Sequence, residues 1–176
     1  MTTKPAIPRD HVHALSEECA KLGMGFQTSA KRMLEDQSRL LRFFKANLPD
    51  MEGQTGEVSL YLLAVIVRIF QQTGKLGRVG ADDVVKATKR IEGVAAKLLP
   101  ADDAFPDRVR AVEWRAQPHI LDEAMHALFE REERQANEVD LGRDQAVRVF
   151  LMLWAATEAL EGVWTPPAEP EWASAT

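Results

Sequence analysis

The sequence lacks several features that mark whole classes of protein. It has a single cysteine, Cys19, so no disulfide can form within the chain, which is typical of a reducing compartment. Its longest apolar run lies around residues 60–67 and is far shorter than the roughly 18 residues that a membrane-spanning helix needs. The first ten residues, MTTKPAIPRD, lack the apolar core of a signal peptide. These absences predict a cytoplasmic protein without a membrane segment.

The composition is that of a globular chain. Of the 176 residues, 45% are hydrophobic and 28% are charged, which excludes an intrinsically disordered protein. A chain of this length is sufficient for one domain that buries its own core without a disulfide or a metal. We expect a single helical domain over residues 1–164. A proline-rich, flexible tail over residues 165–176 follows it and contains an aromatic residue, Trp172.

Charge is distributed unevenly along the chain. Residues 26–97 carry 12 basic and 8 acidic side chains, a net charge of +4, whereas residues 98–176 carry 7 and 16, a net charge of −9. The acidic total of −5 disfavours indiscriminate nucleic-acid binding, but the basic stretch leaves a local anionic partner open. Arg78, Lys86, Lys89 and Arg90 are the candidate patch for such a partner. The alternative is that the two parts attract each other within the fold or across a dimer.

Hydrophobic periodicity predicts helices along almost the whole chain. Two of them, about residues 56–73 and 142–163, are apolar on most faces and should lie at the centre. Amphipathic helices are expected around them, over about residues 10–22, 28–48, 80–99 and 119–137, with a further short helix near 107–114 inside the ambiguous segment 101–117. The predicted fold is therefore an all-α, single-domain bundle of about six helices.

The most metal-like spacing lies on the helix after Pro118. His119, Glu123 and His126 are four and three residues apart, and Glu123 and His126 form an E-x-x-H motif of the kind that supplies ligands in carboxylate di-iron bundles. Such a site needs a second E-x-x-H motif, and neither His11 nor His13 follows a glutamate at that spacing. Helical geometry also places these residues opposite the apolar stripe. We therefore expect a solvated face here, no metal and no cofactor.

Other catalytic patterns are weak. There is no G-x-S-x-G motif, and His13 and Cys19 lie six residues apart, so they project to different sides of a helix. The turn over residues 74–80 contains three glycines and two cations, a composition that can hold phosphate. It lacks the G-K-[ST] ending of a P-loop, and helix termination explains its glycines as well.

Polar residues within the two apolar helices are the least generic feature. Tyr61 and Arg68 share a strip on the first of these helices, and Trp154 and Glu158 share a side of the second. A buried charge needs a partner, so one interpretation is an ion pair from Arg68 to Glu158 or Glu57 that fixes the helix register. The other is a ligand pocket between the helices, where Arg68 binds an anion and Glu158 acts as an acid.

Three functional hypotheses follow from these patterns. The leading one is a non-enzymatic interaction or regulatory protein that acts as a homodimer or a partner-binding module, because apolar surface is abundant and no catalytic constellation is evident. The alternative is a ligand-binding or enzymatic bundle with its pocket at Tyr61, Arg68, Trp154 and Glu158. A weaker alternative is a binder of an anionic or nucleic-acid partner through the basic region 78–97.

Overall fold

The computed structural model describes residues 4–48, 53–130 and 141–170 of the chain. In these segments the fold is all-α, with eight α-helices, one π-helical turn and a pair of two-residue strands. The predicted fold class is confirmed, although the described residues form more helices than the six expected. In the described segments, no helix is both long enough and apolar enough to cross a membrane.

The helices follow one another with short connections. In chain order they are α1 (Arg9–Leu22), α2 (Met24–Asp36), α3 (Ser38–Asn47), α4 (Gln54–Gln72), α5 (Ala81–Leu98), α6 (Phe105–Arg110), α7 (Pro118–Met125) and α8 (Arg143–Gly162). The π-helical turn His126–Glu130 extends α7, and the strands are β1 (Lys75–Leu76) and β2 (Trp164–Thr165).

The two apolar helices predicted from the sequence, α4 and α8, lie at the centre of the fold. Along α8, Phe150, Leu153 and Trp154 are fully buried, and Leu63 and Phe70 are fully buried on α4. Helix α8 packs along both α5 and α4, while α1 and α2 cover α4 from the other side. Burial of so many large apolar side chains, each worth about 1.5–3 kcal/mol relative to exposure, makes this pair the main source of stability.

The helix predicted over residues 28–48 is in fact two helices, α2 and α3, which meet at Gln37. The backbone of Gln37 leaves the helical region (φ −106°, ψ 53°), and its side chain is only 5% exposed. Its amide nitrogen donates to the carbonyl of Gly77 at 2.9 Å, and its amide oxygen accepts from the N–H of Val79 at 3.0 Å. The break therefore allows Gln37 to attach the turn before α5 to the bundle.

A short antiparallel ladder, which the sequence pattern did not predict, joins the ends of the two central helices. Lys75 pairs with Thr165 and Leu76 with Trp164. The indole of Trp164 is buried, contacts the Phe70 ring edge-on at 5.5 Å and donates to the Phe70 carbonyl at 3.1 Å. This ladder fixes where the chain leaves α8. Trp172 lies outside the described residues.

The segment between α5 and α7, which the sequence left ambiguous, contains one short helix. Its helix, α6, covers Phe105–Arg110 rather than residues 107–114. Phe105 and Val109 are fully buried, and Arg108 donates to the carbonyls of Leu98 and Pro100, both at 3.0 Å. The following helix begins at Pro118 and is α-helical only to Met125. Residues 131–137 of the predicted helix lie outside the described residues.

Candidate functional site

Glu158 lies at the centre of a cluster formed by α5, α8 and the segment before α7. Its side chain is 7% exposed, and one carboxylate oxygen accepts from the backbone N–H of Ala116 at 2.9 Å and from the indole of Trp154 at 3.2 Å. The other oxygen lies 3.5 Å from the guanidinium of Arg90. The structure thus brings Trp154 and Glu158 together, as the helical geometry predicted.

Arg90 belongs to this cluster as well as to the predicted basic patch. Its guanidinium carbon lies 4.2 Å from the centre of the Trp114 ring, a cation–π geometry. Trp114 in turn stacks on Trp154, with 5.4 Å between ring centres. Arg90 is therefore engaged within its own fold, whereas Arg78, Lys86 and Lys89 are exposed side chains. Binding of an anionic partner by the patch stays a prediction.

Arg68 and Tyr61 have partners other than those expected for them. Arg68 lies 3.6 Å from Glu18 of α1, so the ion pair predicted with Glu158 or Glu57 is replaced by one to α1. Tyr61 contacts the ring of Phe26 edge-on at 5.6 Å and lines a groove between α2, α3 and α4. The predicted ligand pocket therefore has its four residues in three separate environments, and its function stays a prediction.

The predicted solvated stripe on α7 is only partly exposed. His126 is exposed, but His119 and Glu123 are half-buried against neighbouring elements. Glu123 lies 3.2 Å from the ring nitrogen Nδ1 of His13 on α1, whose Nε2 lies 3.1 Å from Glu17. The hydrogen bond to Glu123 and the charge of that carboxylate raise the pKa of His13 above its ordinary value. Among the described residues, no three His, Cys, Asp or Glu side chains are arranged to hold a metal ion.

The other two candidate sites from the sequence are Cys19 and the glycine-rich turn over residues 74–80, and the fold itself uses both. Cys19 is 1% exposed, and burial raises the pKa of its thiol, which makes the reactive thiolate scarcer. In the glycine-rich turn, the N–H of Gly77 bonds the carbonyl of Val163, and the N–H of Gly80 bonds the Asp83 carboxylate. These amides, together with that of Val79, are used within the fold rather than directed at a phosphate.

Gln117 is an important polar residue that the sequence pattern did not reveal. Its backbone is left-handed (φ 49°), and its side-chain oxygen accepts from the N–H of Ile7 at 2.8 Å. Its side-chain nitrogen donates to the Pro5 carbonyl at 2.9 Å and lies 3.3 Å from the Glu161 carboxylate. Burial, together with the nearby Glu158 charge, raises the pKa of Glu161. This network holds residues 4–8 against the end of α8.

A groove bounded by α3, α5 and α8 is one of several open depressions on the described part of the chain. We call it the α5–α8 groove; its volume is about 560 Å³. One wall runs from Thr88 on α5 to Leu99, the residue after the helix ends, about 16 Å at the helical rise of 1.5 Å per residue. Its apolar lining includes Phe43, Ile91, Leu99, Val147, Leu151 and Met152.

Charged side chains stand around this apolar floor. Glu92, Asp144 and Arg148 line the groove and are exposed, and none of them forms an ion pair with another described residue. At one end Leu99 is 49% exposed, although it is a large apolar side chain. An apolar floor with a polar, solvated rim is the usual anatomy of a protein–protein contact.

Comparison with known proteins gives no assignment: no family model, no curated protein and no solved structure matches the chain.

Proposed function

We propose that this protein is a non-enzymatic interaction module that self-associates, and that the α5–α8 groove is the contact surface. The single observation that carries the proposal is the groove itself, an apolar depression about three helical turns long between α3, α5 and α8. Helices commonly present such depressions to an apolar segment of a partner.

The state of the buried polar groups supports a structural rather than a catalytic use of them. Both oxygens of Glu158, both ends of the Gln117 amide and both ends of the Gln37 amide have partners within the fold. Catalytic groups, by contrast, usually face a cavity in which a substrate meets them. The groove has no paired acid and base; its charged residues are on the rim, where they favour specificity of association.

A second copy of the same chain is the occupant that we propose for the groove. Its rim carries charges of both signs, Glu92 and Asp144 beside Arg148. Charges of both signs on one surface can pair with those of a second copy when two copies meet in a closed, two-fold arrangement. The lone buried cysteine suits the reducing cytoplasm, where we place this module.

The test uses charged substitutions in the groove. Leu151→Glu and Leu99→Glu each place a carboxylate on the apolar floor and should raise the dimer dissociation constant by about tenfold or more, as buried interface substitutions do. Ala96→Glu is the matched control, because Ala96 is exposed on α5 and does not line the groove. The readout is sedimentation velocity across a concentration series, with thermal unfolding of each variant to confirm folding.

The proposal fails if the parent chain stays monomeric at every concentration. It also fails if both groove variants associate as tightly as Ala96→Glu does. Leu99→Glu guards against misfolding of the other variant, because Leu99 is half-exposed and follows the last residue of α5.

A further inference from the structure

Helix α5 presents a row of cations to solvent. We call it the α5 basic face; its members are all exposed and are Lys86, Lys89, Arg90 and Lys97. At 3.6 residues per turn these positions fall within about 100° of one another around the helix. The groove-lining residues Thr88, Ile91 and Ala95 are on the other side of α5. The basic face and the α5–α8 groove are therefore separate surfaces.

The three lysines of the α5 basic face have no ion pair with another described residue. The acids near the face are Asp82 and Asp83 in the first turn of α5, Glu92 on the groove rim, Glu113 next to Trp114 in the chain, and Glu158 and Glu161 on α8. Of these, Asp83, Glu158 and Glu161 accept hydrogen bonds within the fold. The lysine ammonium groups are therefore the charges that an anionic partner meets here.

Gly93 lies at the centre of the face and leaves a gap between the lysines. A β-carbon at Gly93 would have no neighbour within 4 Å, so the packing of the fold does not require a glycine there. Glycine inside a helix is destabilising relative to alanine. A use outside the fold gives this residue a reason, because a missing side chain lets another backbone approach closely.

Arg90 and Trp114 form a flat surface at one edge of the face. The guanidinium carbon of Arg90 lies 4.2 Å from the centre of the Trp114 ring, and Trp114 stacks on the buried Trp154. The Arg90 side chain is nevertheless 52% exposed, and Trp114 is 37% exposed. Aromatic rings and guanidinium planes are the groups on which unpaired nucleic-acid bases stack.

We infer that the α5 basic face binds single-stranded nucleic acid. The lysines contact phosphates, the gap at Gly93 admits the sugar-phosphate backbone, and a base stacks on the exposed surface of Arg90 and Trp114. From Lys86 to Lys97 the face is about 16 Å long, which is sufficient for a few nucleotides. An acidic peptide would use the lysines but not the flat surface, and the bases of a duplex are already stacked. This inference does not depend on the proposed function.

The first test measures binding of a fluorescein-labelled oligothymidylate about 12 nucleotides long by anisotropy at low salt. Lys86→Glu combined with Lys89→Glu should raise the Kd about tenfold or more, and should make the slope of log Kd against log salt shallower by about 1.4, at about 0.7 per lost phosphate contact. Lys21→Glu combined with Lys31→Glu is the matched control, since it changes the net charge equally at exposed positions of α1 and α2. It should change the Kd by less than about threefold.

The second test separates stacking and close approach from charge. Arg90→Lys keeps the charge but removes the flat guanidinium, and should weaken binding about fivefold or more. Gly93→Gln fills the gap with a neutral, good helix former. It should unfold at a denaturant concentration no lower than the parent chain does, and yet should bind the oligonucleotide about fivefold or more weakly. Reduced binding in a variant that is at least as stable excludes misfolding as the cause.

The inference is overturned if the parent chain does not bind the oligonucleotide at low salt, or if the two double variants bind it equally. It is also overturned if polyglutamate competes as well as the unlabelled oligonucleotide does, because the face would then be a site for acidic peptides. A duplex that binds as tightly as the single strand, or an Arg90→Lys or Gly93→Gln chain that binds like the parent, would contradict the stacking or the close approach on which it rests.

Discussion

The indole N–H of Trp154 donates to the carboxylate of Glu158, one turn further along α8, at 3.2 Å. The same carboxylate oxygen accepts from the backbone N–H of Ala116 at 2.9 Å. One acidic side chain thus satisfies two buried donors from different elements and attaches the segment before α7 to the central helix.

Replacing Glu158 by leucine should destabilise the fold by about 1–3 kcal/mol, because the Ala116 N–H and the Trp154 indole would lose their acceptor in a buried setting. Glu158→Gln keeps an acceptor oxygen and should cost less. Denaturant unfolding gives the comparison. Glu113→Leu, at an exposed position three residues before Ala116, should change the free energy of unfolding by less than about 0.5 kcal/mol. Equal effects of Glu158→Leu and Glu113→Leu would contradict the described role.

Two glycines should respond to alanine in opposite ways. A β-carbon at Gly74 would lie 2.5 Å from the Thr165 carbonyl oxygen and 2.6 Å from the Trp164 indole nitrogen, so the strand pair would have to shift. Gly93 is inside α5 and has open space around such a β-carbon. Gly74→Ala should therefore lower the free energy of unfolding, and Gly93→Ala should raise it by about 0.5–1 kcal/mol. Chemical unfolding of the two variants and the parent chain measures these changes. A Gly74→Ala variant more stable than the parent chain would contradict the close approach of Thr165 and Trp164 to Gly74.

The contact between α1 and α7 should depend on pH. The pKa of His13 is raised in the folded state by its hydrogen bond to Glu123, so folding favours the protonated ring. The resulting stabilisation is fully present below the unfolded value of 6.5 and is lost as the pH rises through the folded value.

The comparison for this prediction is the parent chain against His13→Gln, with unfolding followed from about pH 5 to about pH 9. The free energy of unfolding of the parent chain should exceed that of His13→Gln at low pH, and this difference should shrink as the pH rises. Because the His13 side chain is 57% exposed, the effect should be small and should weaken in high salt. His126→Gln, at an exposed position, is the control. A difference between parent and His13→Gln that stays constant with pH would show that the pair does not contribute.

The elements that could be predicted from the sequence are those determined by local pattern. The apolar runs that became α4 and α8 exceed the length of a strand and carry apolar residues on nearly every face, so their burial at the centre followed directly. The sequence also predicted that Trp154 and Glu158 lie on one side of α8, because residues four apart on a helix lie one above the other.

Contacts between distant residues could not be predicted in this way. Glutamine is a good helix former, so nothing in the sequence around Gln37 indicates that a helix breaks there. The reason is the turn at Gly77 and Val79, forty residues away, which its side chain binds. Gln117 is similar, since its partners are the backbone of Pro5 and Ile7.

The partner of Arg68 shows the same limit for the candidate site. Helical spacing placed Arg68 and Glu57 on one strip of α4, but it contained no information on the neighbour across the strip, which is Glu18 of α1. The α5–α8 groove likewise arises from three helices that are distant in the chain, and only their packing brings Phe43, Ile91 and Leu151 to one depression.

The most direct test of self-association is sedimentation equilibrium of the unaltered chain over about a hundredfold range of concentration, because mass action makes a reversible dimer depend on concentration. We predict an average mass that rises with concentration from that of the single chain, 19.7 kDa, to twice that value and then stays constant. A mass of 19.7 kDa at every concentration would contradict self-association through the groove.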